Sequence, residues 1–208
     1  MVIRNRYPGY HVLDQQRHWD EATRRLVMNR VHSVPPFRHL NVHQRNTLEA
    51  LCARVIPQEH RPVDQRVPIA PWIDQSLDKS VMGGFRYEDM PAHSTAWEWG
   101  LEGLDETAES LFGVQFVKLD GREQDKVLNS VREGNPPGDV WQRMPARRWW
   151  TTVAVRQIAS IYYAHPYAWD EIGFGGPAYP RGYFALNHGA AEPWEVQEAP
   201  PSEGSASL

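Results

Sequence analysis

Nine histidines, the adjacent carboxylates of Asp170 and Glu171, and a single cysteine, Cys52, are the residue types here that could do chemistry. A histidine metal site needs ligands at a converging spacing, such as HExxH on one helix or paired Glu-x-x-His motifs. The histidines are His11, His18, His32, His39, His43, His60, His93, His165 and His188, and neither pattern occurs. Only His39 and His43 stand four apart, and Asn41 between them reads as a helix cap, which keeps them off a shared helical face. Asp170 and Glu171 could serve acid–base chemistry only with one raised pKa in a substrate cleft. Otherwise two neighbouring carboxylates in a loop read as turn and cap groups. Cys52 falls on an apolar helical stripe, where a free cysteine behaves as a small hydrophobe. No serine sits in a GxSxG context. Gly173-Phe174-Gly175-Gly176-Pro177 lacks both the full GxGxxG spacing and the strand–turn–helix setting of a dinucleotide site, and it does not match a P-loop. Arg147-Arg148 before Trp149-Trp150 reads as an exposed pair with two packed indoles. The expectation is a chain with no catalytic, metal or cofactor site of its own.

The elements that must position these residues are helical. Asp20 caps a helix to about Val31, with Ala22, Leu26, Val27 and Val31 on one face. Asn41 with Gln44 forms a capping box before Leu48, Leu51, Cys52, Val55 and Ile56, and Pro57 stops that helix. A short helix spans about Pro71 to Leu77. Asp89 with Pro91 starts a longer one, whose stripe is Trp97, Leu101, Leu104, Ala108 and Leu111 and whose stop is Gly113. Asp120 and Glu123 form a second capping box ahead of Val127, Leu128 and Val131, and Gly134 ends that helix. Trp141 falls on a single helical turn. Pro145 opens the last long helix, which Pro166 cannot continue. The reading is mostly α, with five to six helices, long proline-rich connections and no persistent alternation of the kind strands require. Residues 1–18 read as an N-terminal arm, 19–197 as the helical domain and 198–208 as a disordered tail.

The net charge of −4 and pI near 6.1 lack the basic footprint of general nucleic-acid binding. No run of about 18 apolar residues occurs, so no membrane insertion is expected. Arg24-Arg25-Leu26-Val27 has the look of a twin-arginine signal, but polar Met28 to Ser33 follows instead of an apolar stretch. The expected location is cytoplasmic, with co-export by another subunit as the alternative.

Seventeen prolines and nine tryptophans are the compositional anomaly. Eight of the chain's 23 aromatics fall between Ile161 and Phe184, together with four glycines and three prolines. Glycine and proline forbid a long helix there, so the segment reads as irregular. Ordering it costs about 1–2 kcal/mol of backbone entropy per residue. Aromatic burial against a surface must offset that cost, and tryptophan and tyrosine are enriched at protein interfaces. The candidate partner-binding residues are Tyr163, His165, Pro166, Tyr167, Trp169, Ile172, Gly173, Phe174, Gly176, Pro177, Tyr179 and Tyr183, the glycines admitting close backbone approach.

Three stretches carry a resemblance. The first is LEALCARVIPQ (Leu48 to Gln58), followed after a loop by PIAPWIDQSL (Pro68 to Leu77). The second is LFGVQFVKLDGREQDKVL, with Gly113, Phe116, Leu119, Gln124 and Leu128 at spaced positions. The third is YYAHPYAWDEIGFGGPAY, with Trp169, Ile172, Gly173, Gly176 and Pro177. Over about residues 40–184 the chain resembles the gluconate 2-dehydrogenase subunit 3 family, the small subunits of flavin-dependent sugar and polyol dehydrogenases. That resemblance implies a non-catalytic partner that clasps and stabilises a GMC-type large subunit. The large subunit would carry FAD and oxidise a sugar, sugar acid or alcohol, with electrons leaving through a cytochrome c or another acceptor. The chain departs from the family in lacking the twin-arginine signal, and its lone cysteine excludes the disulfides of some relatives. Two alternatives stay open: a self-contained metal-dependent enzyme using histidines with Asp170 and Glu171, and a scaffolding module unrelated to redox chemistry.

Overall fold

The computed structural model describes residues 7–79, 85–184, 192 and 194–196. Among them are eight α-helices and no strand: α1 (Glu21–His32), α2 (Val42–Val55), α3 (Ile69–Asp78), α4 (His93–Phe112), α5 (Gly121–Glu133), α6 (Ala146–Arg148), α7 (Val155–Tyr163) and α8 (Pro166–Ile172). A π-helical stretch, Trp149–Ala154, joins α6 to α7.

The helices number eight rather than the five or six expected, for two reasons. The π stretch divides what reads as one helix after Pro145. In addition, Pro166 does not merely stop a helix; it occupies the first turn of a new one, where a missing N–H costs nothing. The segment expected to be irregular therefore contains α8. Asp89 also does not cap α4, which starts from Ala92 without a side-chain cap. Residues Val12–His18, read as arm, form a 3-10 helix.

The chain divides into two units, residues 34–162 and residues 1–33 with 163–208. In the first, α2 and α5 begin with reciprocal capping boxes, Asn41 with Gln44 and Asp120 with Glu123. The centre of this unit is α4. Gly100 and Gly103 lie on its buried face, and a Cβ there would fall 2.0 Å from Trp149 and 2.5 Å from Trp141. The two glycines cost about 1 kcal/mol each in a helix interior. They open a slot for two indoles, and burying ~200 Å² of one indole contributes on the order of 5 kcal/mol as an upper estimate. Burial wins, and Trp149 stands edge-on to Trp97 at 6.0 Å and tilted to Trp141 at 5.6 Å. The π register is what presents Trp149 there. Thr151 and Thr152 hydroxyls donate to the carbonyls of Arg147 and Arg148, so the altered ladder leaves these acceptors satisfied.

The unit's connections are held by single polar side chains. Asp74, fully buried on α3, accepts the backbone N–H groups of Arg38, His39 and Leu40. Gln58 clasps Val67 from both sides, accepting its N–H at 2.7 Å and donating to its carbonyl at 3.1 Å. Gln124 donates to the carbonyl of the buried Phe116.

In the second unit, Val12, Trp19, Val27 and Trp169 form a small core, flanked by Tyr10 and Leu13. Its floor is α8, and α8 starts on His165. That ring accepts from Tyr167 N–H through Nδ1 and donates to the carbonyl of Arg30 through Nε2. The two bonds fix one neutral tautomer.

Candidate partner-binding surfaces

The sequence-predicted residues separate into an inner and an outer set. His165, Pro166 and Trp169 are buried. Trp169 donates to the carbonyl of Tyr163 and stands edge-on to Phe174 at 5.1 Å. Tyr167 is half-buried, stacked obliquely at 4.9 Å from the His165 ring. Gly173 closes α8 in the left-handed region, and a Cβ there would meet the Tyr7 ring at 2.5 Å. A Cβ on the buried Gly176 would meet Trp19 at 2.6 Å. The chain's own rings thus make the close approach that these glycines admit. Pro177 is half-buried beside them.

The outer set is Tyr163, Ile172, Phe174, Tyr179 and Tyr183, to which the structure adds Phe184, 75% exposed. Of these, Phe174 leans on the core ring of Trp169 and yet remains 39% exposed. Tyr183 leans on Trp194 at 5.0 Å, and the Arg181 guanidinium lies over the same indole at 4.1 Å while donating to Gln15 and the carbonyl of Gly175. Around Gly175 and Gly176, the Tyr10 hydroxyl, Trp19 Nε1 and Arg181 Nε are buried without a hydrogen-bond partner among the described residues. Burial, and then the charge of Asp170, raise the Tyr10 pKa above its usual value.

Asp170 tethers the N-terminal segment. Its Oδ1 accepts the Val12 N–H at 2.7 Å, at the start of the N-terminal 3-10 helix, and its Oδ2 faces His11 at 3.4 Å. His39 pairs with Glu98 and His43 with Asp105, each at the α2 end facing α4. Among the described residues no three His, Cys, Asp or Glu side chains come together as metal ligands. Cys52 is buried, and desolvation pushes its thiol pKa far up.

Sequence reasoning missed a second surface, in residues 34–162. A pocket of about 330 Å³ is walled by Met90, Pro91, Ala96 and Val153, with Phe85 and Tyr87 at its edge and Arg86 and Arg156 among its lining. Its polar floor is wired through Gln157. The Gln157 carbonyl accepts from Trp97 Nε1 at 2.7 Å and its amide donates to Ser76 Oγ at 2.7 Å. Because Trp97 can only donate, the orientation of Gln157 is settled, and His93 Nε2 must be the donor to the same carbonyl. Desolvation lowers the His93 pKa, so the ring is held neutral. The signal in the sequence is Gln157 itself, a polar residue four positions from both Val153 and Ile161 on an apolar stripe. A second hollow of about 390 Å³ lies behind the Gln58 clasp, against Cys52, Ile56 and Ala70.

No helix among the described residues is long and apolar enough to cross a membrane. No curated protein and no solved structure was found to match the chain. The family model of gluconate 2-dehydrogenase subunit 3 matches residues 42–176, and that span takes in the Gln58 clasp, Asp74, the Gly113–Gln124 segment and α8 with its glycine turn. The chain belongs to the gluconate 2-dehydrogenase subunit 3 family, a family of subunits of an oxidoreductase.

Proposed function

We propose that this chain is a non-catalytic small subunit that binds and stabilises an FAD-dependent, GMC-type dehydrogenase acting on a sugar, sugar acid or polyol. The FAD and the oxidation belong to the partner, which passes electrons to a cytochrome c or another acceptor. Family membership supports the dehydrogenase complex. The observation that carries the binding role is the outer set of rings. At ~200 Å² per aromatic side chain, Tyr179, Tyr183 and Phe184, exposed at 66%, 61% and 75%, leave roughly 400 Å² of ring surface in water. That is the scale of the largest apolar patch on a typical monomer, which is often functional. The unpartnered donors around Gly175 and Gly176 add to the cost of the free chain, since an unsatisfied buried polar group costs about 1–3 kcal/mol.

The test is recovery of the native complex with mass spectrometry of its members, followed by co-expression. The expected result is a flavoprotein of the GMC type, a chain that is poorly soluble alone, and rescue by co-expression. A monodisperse monomer with no affinity for any flavoprotein overturns the proposal. This reading places the pair in the cytoplasm, with co-export to the periplasm as the alternative, and cell fractionation separates the two.

A further inference from the structure

The pocket on residues 34–162 is not used by the aromatic surface just described. Its composition is that of an interface centre: Phe85 and Tyr87, 75% and 41% exposed, packed edge-on at 5.0 Å, with Met90 and two arginines. The charges are distributed unevenly. Arg148 is consumed, paired with Asp89 and lying over the Tyr87 ring at 4.5 Å. Arg86 and Arg156 are exposed and make no ion pair among the described residues. Two uncommitted cations beside one small apolar pocket, on a chain whose net charge is −4, ask for an anionic occupant. The floor sharpens this. His93 is held neutral and spends its Nε2–H on Gln157, so it does not add a third cation. The volume is at the small end of the ~300–1,000 Å³ range of ligand pockets, the scale of a few side chains rather than of a dinucleotide.

We infer that this pocket is a second docking point for the dehydrogenase subunit, receiving an acidic segment of it: a Glu or Asp carboxylate for Arg86 and Arg156, flanked by apolar side chains that pack on Phe85, Tyr87 and Val153 of its lining. The inference rests on the proposed subunit role and assigns that role a second, electrostatic contact remote in sequence from the aromatic one.

The test uses the full chain and the dehydrogenase partner recovered with it. The double substitution Arg86→Glu and Arg156→Glu touches two exposed side chains, and circular dichroism checks that the helices are retained. The expected result is a rise in Kd of about tenfold or more at 50 mM NaCl, shrinking at 500 mM NaCl as salt screens the contact. A Kd within twofold of wild type at low salt overturns the inference while leaving the subunit role standing. If the wild-type chain forms no complex at all, the subunit role fails and the docking point falls with it. A photo-crosslinking residue in place of Phe85 gives an independent reading. An adduct with the dehydrogenase subunit is expected, and its absence from an intact complex overturns the inference.

Discussion

Tryptophans 97, 141 and 149 in residues 34–162 and the rings of residues 163–184 are the same kind of side chain put to opposite uses. In the former region Trp97 and Trp149 are fully buried, and the backbone makes room for them through Gly100 and Gly103. In the latter only Trp169 and its neighbour His165 are so treated, while Tyr163, Phe174, Tyr179, Tyr183 and Phe184 stay in water. Glycine accompanies aromatics in both places, but α4 stays helical around its glycines, whereas Gly173 and Gly176 adopt positive φ and turn the chain. Glycine–aromatic richness alone therefore does not distinguish a core from an exposed set of rings. What distinguishes them is whether a regular element carries the rings on one face.

The difference can be broken by substitution. Trp149→Ala leaves a cavity between α4 and the π stretch and is expected to cost about 3–5 kcal/mol. Hydrogen exchange of the slowest α4 amides in the co-purified complex would read this as an acceleration of two orders of magnitude or more. Asp74→Asn leaves part of the buried N–H cluster at residues 38–40 without its acceptor and should cost about 2–3 kcal/mol, seen in the same amides and in those of α3. The combined Tyr179→Ser, Tyr183→Ser and Phe184→Ser change should alter stability by no more than about 0.5 kcal/mol per site. If it destabilises the chain as Trp149→Ala does, the two regions are not different in kind.

Two smaller effects sharpen the picture of residues 34–162. His93 has a lowered pKa in the fold, so the unfolded chain binds its proton more readily. The stability this ring contributes is full above its unfolded pKa, about 6.5, and is lost as pH falls below that value toward the folded pKa. Urea midpoints measured from pH 7.5 to 5.0 should fall more steeply for the wild type than for His93→Gln, and equal slopes would remove His93 from the account. Cys52, buried with its thiol pKa pushed up, should resist a thiol reagent in the native state and react on unfolding. Reaction in the native state would mean that α2 opens locally.

Much of this was legible in the chain because it is local. The capping boxes at Asn41 and Asp120 and the stops at Gly113 and Gly134 are recorded in three- or four-residue patterns, and the structure has each of them. The π stretch was not, because Trp149 to Ala154 continues the apolar pattern of an ordinary helix and the shift serves a slot on α4 about 50 residues away. Helix α8 was hidden by reading Pro166 only as a breaker, although His165 supplies the cap. The family motifs gained reasons that no spacing states: Gln58 clasps Val67, Asp74 gathers three N–H groups, and Gln124 holds the Phe116 carbonyl. The pocket depends on residues from Ser76 to Arg156, which no local pattern joins.

The account's central claim, that the exposed rings dock on a flavin-carrying partner, meets its most direct test in the affinity of the Tyr179→Ser, Tyr183→Ser, Phe184→Ser chain for the recovered dehydrogenase subunit. The account predicts a loss of binding of tenfold or more with unchanged helicity. Wild-type affinity in that variant would contradict it.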